Sequence, residues 1–283
     1  MLKVGGCILA GSTRLSMGPL SDRASMDSEL LLMHVLERNR AWLVAHRDDE
    51  VPDEARCRFV ELLERRHHGE PIQYILGECE FYGLPFKVTR DVLIPRPETE
   101  HVVEKALGLA ERFDHPRIVD VGAGSGAIAV ALASQLAGAE ITGTDLSDAA
   151  LVVARDNAKR NGVEGRVRFL QGDLLAPIGG GQFEMVVSNP PYVATNDRES
   201  LSVEVREYEP ELALFAGEDG LDVYRRLIPA AFRALVAWGY LVLEIGYAQA
   251  EAIEGMMLAA GFENVEFTAD LQGILRVASA QRP

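Results

Sequence analysis

Cysteine is scarce in this chain. Cys7, Cys57 and Cys79 are the only three among 283 residues, and they form neither a Cys-x-x-Cys pair nor an even set. That argues against a disulfide framework and a thiolate metal site, and it points to a reducing compartment. A cytoplasmic protein without bound metal is the expectation. Long apolar runs are missing as well. Nothing approaches the roughly 20 apolar residues needed to cross a bilayer. The run Val4-Gly5-Gly6-Cys7-Ile8-Leu9-Ala10 is too short and too broken by glycine for a secretion signal. Basic residues are in deficit, 28 Lys and Arg against 43 Asp and Glu, for a net charge of -15. A protein that grips phosphates works through a basic face, so a protein partner is favoured over nucleic acid. A local patch remains at Arg65-Arg66-His67-His68, but His67 and His68 lack the companions of a metal site. Core-forming material is plentiful: 48% of residues are hydrophobic and 25% charged, as in an ordinary globular protein of one large or two modest domains.

Residues 22–70 read as helical. Leu30, Leu31, Met33 and Val35 recur at helix-compatible spacing, and Asp53-Glu54 opens a helix with Phe59, Val60, Leu62 and Leu63 on its apolar side. Pro71 ends this bundle. Residues 72–95 read as extended, with turn signals at Gly77 and Gly83-Leu84-Pro85, and so suggest a short hairpin linker. From about residue 116, strands and helices alternate, which argues a doubly wound parallel sheet. Strands are predicted at roughly 117–121, 140–144, 166–171 and 183–188, and helices at Ala149–Asn161 and Leu221–Trp238, the second broken or kinked at Pro229. Late strands at Tyr240–Ile245, Val265–Phe267 and Ile274–Val277 suit a closing antiparallel hairpin.

The most informative motif is Asn189-Pro190-Pro191-Tyr192, at the end of the apolar run Phe183–Val187. Asn189 offers an amide acceptor, and the carbonyl that follows belongs to a proline with no competing N–H. Each proline keeps the residue before it out of the helical region, so the segment stays extended. Tyr192 adds a flat face on which a planar group can stack. The pattern resembles methyltransferases that act on an amide or exocyclic amine nitrogen.

A second motif lies upstream, Ile118-Val119-Asp120-Val121-Gly122-Ala123-Gly124-Ser125-Gly126-Ala127. Glycines between a strand and a helix let a ligand approach the backbone. The stretch also fits Gly-x-Gly-x-x-Ala, and Asp145 lies where it could hold a ribose. Alone, this loop does not separate a nicotinamide enzyme from an S-adenosylmethionine enzyme. Order along the chain does. Asp120 with its glycines, Asp145, Gly172-Asp173-Leu174 and Asn189 each follow a predicted strand. In a parallel sheet those ends gather on one edge, where ligands bind. The methyltransferase reading wins over the dehydrogenase.

The chain resembles the release factor glutamine methyltransferases, the HemK/PrmC family. The resemblance rests on Gly69-Glu70-Pro71-Ile72-Gln73-Tyr74-Ile75-Leu76-Gly77, on Leu93-Ile94-Pro95-Arg96-Pro97-Glu98-Thr99-Glu100, on the loop from Asp120, and on Asn189 to Val193. Glu209-Pro210, Ala213-Leu214 and Gly217 to Leu221 look like the segment that follows the motif. The first 20 residues depart from the pattern, because Gly5-Gly6 weaken the expected first helix.

The resemblance implies an α/β fold. A Rossmann-like S-adenosylmethionine-dependent methyltransferase domain, residues 96–283, has a mostly parallel seven-stranded sheet with a closing antiparallel hairpin. A small helical bundle for substrate recognition, residues 1–70, and a β-hairpin linker, residues 71–95, precede it. The implied reaction moves a methyl group from S-adenosylmethionine to the side-chain nitrogen of the glutamine in the Gly-Gly-Gln loop of a class I peptide chain release factor, leaving S-adenosylhomocysteine. Asn189, Pro190, Pro191 and Tyr192 would hold the glutamine. Gly122, Ala123, Gly124, Ser125, Gly126, Asp145, Asp173, Leu174 and Asn189 would hold the cofactor, with Asp173 and Leu174 flanking adenine. No catalytic His or acid is expected, since the proton can leave once nitrogen is alkylated. Arg96 reads either as a solvated residue at a capped helix start or as a group near the cofactor or substrate loop. A monomer without membrane or nucleic-acid contact is expected. The rivals are a ribosomal protein glutamine methyltransferase, an adenine-N6 nucleic acid methyltransferase and a non-catalytic S-adenosylmethionine-binding regulator.

Overall fold

A computed structural model describes residues 2–283. The chain divides into two compact units, Met1–Gly77 with Leu201–Tyr208, and Glu78–Ser200 with Glu209–Pro283. The segment 201–208 thus belongs to the helical unit although it lies deep in the second half of the sequence.

The helical unit holds α1 (Val4–Leu15), α2 (Ala24–Leu36), α3 (Arg40–Ala45), α4 (Asp53–His67) and α5 (Ile72–Leu76), with a further short helix at Val203–Tyr208. The first helix forms despite its glycines. Its buried stripe Val4, Cys7, Gly11 and Leu15 faces the core, and the N–H groups of Val4 and Gly5 donate to Asp49 and Arg47 carbonyls at 2.9 Å each. Packing therefore overrides weak propensity. Residues 72–76 were expected to be extended and are helical instead. Pro71 caps the turn at its start, and Gly77 at φ +80 closes it in the left-handed conformation that suits a helix end. Leu31, Leu32, Phe59, Leu62 and Ile75 lie among the buried residues of this core. Beside them runs a buried ionic network: Arg66 donates to Asp27 at 2.6 Å, to Glu204 at 2.5 Å and to the Glu70 carbonyl at 2.9 Å.

The second unit opens with an antiparallel hairpin, β1 (Glu78–Phe81) and β2 (Leu84–Lys87). Its main sheet contains β3 (Arg117–Val121), β4 (Glu140–Asp145), β5 (Val167–Gln171), β6 (Phe183–Ser188), β7 (Leu235–Glu244), β8 (Glu263–Ala269) and β9 (Leu275–Gln281). The order is β5-β4-β3-β6-β7-β9-β8. The first five strands of that order are parallel, and β9 runs antiparallel to both of its neighbours. Helices α6 (Glu100–Ala110), α7 (Ala127–Gln135), α8 (Asp148–Arg160), α10 (Asp222–Ala234) and α11 (Ala250–Ala260) cover the sheet, α9 being the Val203–Tyr208 helix of the other unit. Two buried clusters lie in this unit, one centred on Ile118, Leu132 and Met185, the other on Val119, Leu227 and Leu241. This is the mostly parallel seven-stranded sheet with a closing antiparallel hairpin that the resemblance implies.

Strands β8 and β9 run longer than expected, and the boundary between α10 and β7 moves. Helix α10 ends at Ala234 and not at Trp238, and Pro229 lies inside it. Leu235 already pairs with Phe183, whereas Tyr240 pairs with Met185, so the intervening residues bulge out of β7. Trp238 at φ +67 takes that turn, two-thirds exposed.

Candidate active site

The sheet order places two loops side by side. The chain moves outward from β3 to β4 and β5, then returns to lay β6 against the other edge of β3. The carboxyl ends of β3 and β6 therefore flank a topological switch point, the ligand crevice of open α/β sheets. Val121 pairs with Ser188, so the glycine turn and the Asn-Pro-Pro-Tyr segment leave the sheet as neighbours. A cavity of about 240 Å³ opens there, lined by Gly122, Gly124, Asp145, Asp173, Leu174, Asn189 and Pro191, with Val92, Leu93 and Leu146 adding apolar wall. Ala123, Ser125, Gly126, Pro190 and Tyr192 do not line it. Ala123 gives its N–H to the Thr144 carbonyl at 2.9 Å, and the Ser125 carbonyl accepts from Asn157 Nδ2 at 2.9 Å. Gly126 packs against Ala154 and Phe169.

The turn is built on glycine because Gly122 and Gly124 sit at φ +73 and +54, a region that side chains resist. Asp145 organises it. Its Oδ2 accepts the Gly124 N–H and its Oδ1 the Ser147 N–H, both at 2.8 Å, which leaves each oxygen lone-pair capacity toward the cavity. Asp120 is buried beneath. Its Oδ2 accepts from the Ala129 N–H at 3.1 Å, while its Oδ1 and the Thr144 hydroxyl have no protein partner. Burial pushes the Asp120 carboxyl up to about 7. Asp173, expected to flank adenine, forms an ion pair with Arg226.

The Asn189 end is held by residues from three other segments. Ser188 pairs with Leu243, so Asn189 and Glu244 come next on adjacent strands. Asn189 Nδ2 donates to Thr99 Oγ1 at 3.0 Å, Thr99 Oγ1 donates to Glu244 Oε2 at 2.5 Å, and the Tyr192 hydroxyl donates to Glu244 Oε1 at 3.3 Å. Thr99 spends its proton on the carboxylate and can only accept from Asn189, which leaves Asn189 Oδ1 on the other branch of the amide. Gln249 Nε2 donates to the Tyr192 carbonyl at 3.1 Å. A side chain at Gly220 would place its Cβ 2.3 Å from that same carbonyl, so this approach needs glycine. Burial pushes Glu244 up to about 7, with Glu98 adding to it and Thr99, Tyr192 and Arg276 opposing it. Burial and the nearby Glu244 push the Tyr192 phenol well above its usual value, so its hydroxyl stays protonated.

A family model described as PrmC N-terminal domain matches residues 10–77, and one described as Methyltransferase small domain matches residues 105–205. A protein of Geobacter sulfurreducens named release factor glutamine methyltransferase is 45% identical, covering 92% of this chain and 90% of its own length. A protein of the same name from Koribacter versatilis is 42% identical over 91% of each chain. The chain belongs to the release factor glutamine methyltransferase family. Among solved structures, the hMettl16 catalytic domain in complex with MAT2A 3′UTR hairpin 6 superposes with a TM-score of 0.58 at 17% identity, covering 82% of both chains, a likeness of fold alone.

The protein is an S-adenosylmethionine-dependent methyltransferase of this family, and the cavity fits that cofactor. Asp145 can accept from ribose hydroxyls, Leu146, Leu174 and Leu93 can sandwich a planar base, and the unpartnered Thr144 hydroxyl in the cavity wall can meet a polar ligand atom. Arg96 does not line the cavity; partly buried, it holds both oxygens of Glu209 at 2.8 and 2.7 Å and lies close enough to Tyr192 to act on its phenol. Sequence reasoning gave no role to Thr99, Glu244 or Gln249. A signal existed for one of them: Glu244 is a lone acid ending the apolar run Tyr240–Leu243. Among the described residues, no helix is long and apolar enough to cross a membrane.

Proposed function

We propose that this enzyme methylates the side-chain amide nitrogen (N5) of the glutamine in the Gly-Gly-Gln motif of class I peptide chain release factors, and so modulates translation termination. One observation carries the reading: Asn189 holds its amide nitrogen against Thr99 and keeps Oδ1 at the cavity that fits the methyl donor. The names of the relatives support the choice of substrate. The reading makes the protein a cytoplasmic monomer whose partner is a protein, with no nucleic acid or membrane involved.

A glutamine amide nitrogen is a weak nucleophile, because its lone pair is delocalised into the carbonyl. Asn189 Oδ1 and the Pro190 carbonyl each accept one N–H of the glutamine, which fixes the nitrogen and directs its lone pair into the cavity. Tyr192 packs on the flat amide, with its hydroxyl tethered to Glu244. Bound S-adenosylmethionine supplies a sulfonium methyl; a nitrogen–carbon bond forms, the sulfur keeps the electron pair of the broken bond, and one N–H proton passes to solvent. Orientation of this kind is worth several kcal/mol, up to roughly 7–11 in well-aligned reactions, so no general base is required. Gly122, Gly124 and Asp145, which line the cavity, hold the methionine and ribose side of the cofactor, and Ala123, Ser125 and Gly126 complete the turn that shapes it. Asp173 and Leu174 hold the base, and the helical unit reads the partner.

Asn189→Asp tests the reading. The aspartate keeps an acceptor but loses the N–H that Thr99 needs, and it adds a charge beside Glu244. Affinity for S-adenosylmethionine should stay within a few fold, while turnover on a release factor falls by about 100-fold or more. Intact turnover would remove Asn189 from the mechanism.

A further inference from the structure

Behind Asn189 lies a buried chain of hydrogen bonds that ends on a carboxyl group. Thr99 is 4% exposed and Glu244 2%. Glu244 ends β7, where Leu241, Val242, Leu243 and Ile245 are apolar and wholly buried. A structural role alone gives no reason for a carboxylate there, since burying one is costly and an apolar residue would serve packing better. Its two oxygens nevertheless meet two hydroxyls, those of Thr99 and Tyr192.

We propose that Glu244, acting through Thr99, sets the polarity of the Asn189 amide, so that its oxygen and not its nitrogen faces the substrate. The proposal rests on the reading of Asn189 as the acceptor for the glutamine N–H. An ionised carboxylate can only accept hydrogen bonds. It draws the Thr99 proton toward itself, and the Thr99 oxygen can then only accept. Asn189 must offer Nδ2 inward and Oδ1 outward. A protonated Glu244 reverses the chain: its O–H donates to Thr99, and the Thr99 O–H turns toward Asn189. The amide is then satisfied with Oδ1 inward. In that state Asn189 Nδ2 meets the substrate N–H, two donors face each other, and the nitrogen is no longer held. Thr99 and Glu244 are positioning residues, since neither touches the glutamine.

The carboxyl group titrates among few neighbours. Tyr192 faces it from the motif loop, and Tyr224 of α10 donates to its backbone carbonyl at 2.8 Å. Glu98 beside α6 disfavours ionisation, and Arg276 of β9, itself paired with Asp270 at 2.9 Å, favours it. Both tyrosines are pushed above their usual range by burial, so neither changes charge near neutrality. Ionisation near pH 7 should switch the amide from the unproductive to the productive orientation, and kcat should rise with pH and then level off.

The experiment measures kcat, KM and S-adenosylmethionine binding between pH 6 and 9 with an intact release factor as substrate. Thr99→Val keeps the shape but removes the hydroxyl, and kcat should fall by about 10- to 100-fold with cofactor affinity unchanged. Thr99→Ser restores the hydroxyl and should return kcat to within a few fold. Glu244→Gln can present either a donor or an acceptor, so it should lower kcat and abolish the rise near pH 7. Wild-type kcat in Thr99→Val, with Asn189→Asp inactive, would overturn the polarity role and leave Asn189 as the acceptor. Full activity in Asn189→Asp would sink the underlying reading instead. Should Thr99→Val fail to fold, Glu244→Gln decides: an unchanged rise near pH 7 overturns the proposal.

Discussion

Replacing Asp145 by alanine should separate cofactor binding from chemistry. Each carboxylate oxygen spends one lone pair on a backbone N–H, Gly124 on one side and Ser147 on the other, both at 2.8 Å. On the proposed reading, the remaining lone pairs accept from ribose hydroxyls at the end of β4. A hydrogen bond to a charged group contributes about 1.5–3 kcal/mol net, and the partly exposed site favours the lower half of that range for a pair of such bonds. At 1.4 kcal/mol per tenfold, the loss corresponds to a dissociation constant raised roughly 10- to 40-fold. The freed N–H of Gly124 also loosens the turn, which acts in the same direction. Asp145→Asn should behave similarly, because its NH₂ group would face a backbone N–H. Calorimetric titration with S-adenosylmethionine and with S-adenosylhomocysteine reads the effect. At saturating donor, kcat should stay within about threefold, the mark of an interaction made equally before and during reaction. A dissociation constant within twofold of wild type in a folded variant would refute the ribose role. So would a lowered kcat with unchanged affinity.

Arg66→Ala should cost the helical unit about 3–5 kcal/mol in urea unfolding, because it strands Asp27 and Glu204 without their buried partner; a loss under about 1 kcal/mol would show that the network does not hold the unit. Asp120 gives a pH signature. Its folded carboxyl lies near 7 against an ordinary 3.8, so between those values the unfolded chain releases a proton that the folded chain keeps. Stability is fully present below the unfolded value and declines as pH rises toward 7. Cofactor-free Asp120→Asn should therefore gain on wild type across that window, by at most about 4 kcal/mol; parallel melting curves at pH 5 and 8 would contradict it. A short peptide carrying Gly-Gly-Gln should be a far poorer substrate than the intact factor, and equal efficiency would deny the helical unit a part in recognition.

Much of this site was legible because a parallel sheet converts order along the chain into position in space. Apolar runs marked β3, β4, β5 and β6, and each was followed by a glycine or polar feature, so their shared edge could be read from spacing alone. Other features left no local trace. Thr99 and Glu244 are 145 residues apart, and only the register of β6 on β7 brings Glu244 beside Asn189. The run Leu235-Val236-Ala237-Trp238 is apolar whether it ends a helix or begins a strand, and its bulge is set by pairing with β6. Ile72–Leu76 is rich in β-branched and aromatic residues and still folds as a helical turn, because Pro71 and Gly77 fix its ends. The excursion of 201–208 into the helical unit depends on Glu204 reaching Arg66, an encounter 138 residues distant in sequence.

The most direct measurement of the central claim is transfer of label from methyl-labelled S-adenosylmethionine to two proteins, an intact class I release factor and a copy whose Gly-Gly-Gln glutamine is replaced by alanine. Label on the first and none on the second is the predicted result, with mass spectrometry placing one methyl group on the glutamine side chain. Equal label on both, or none on either, would contradict the assignment of that glutamine as the acceptor.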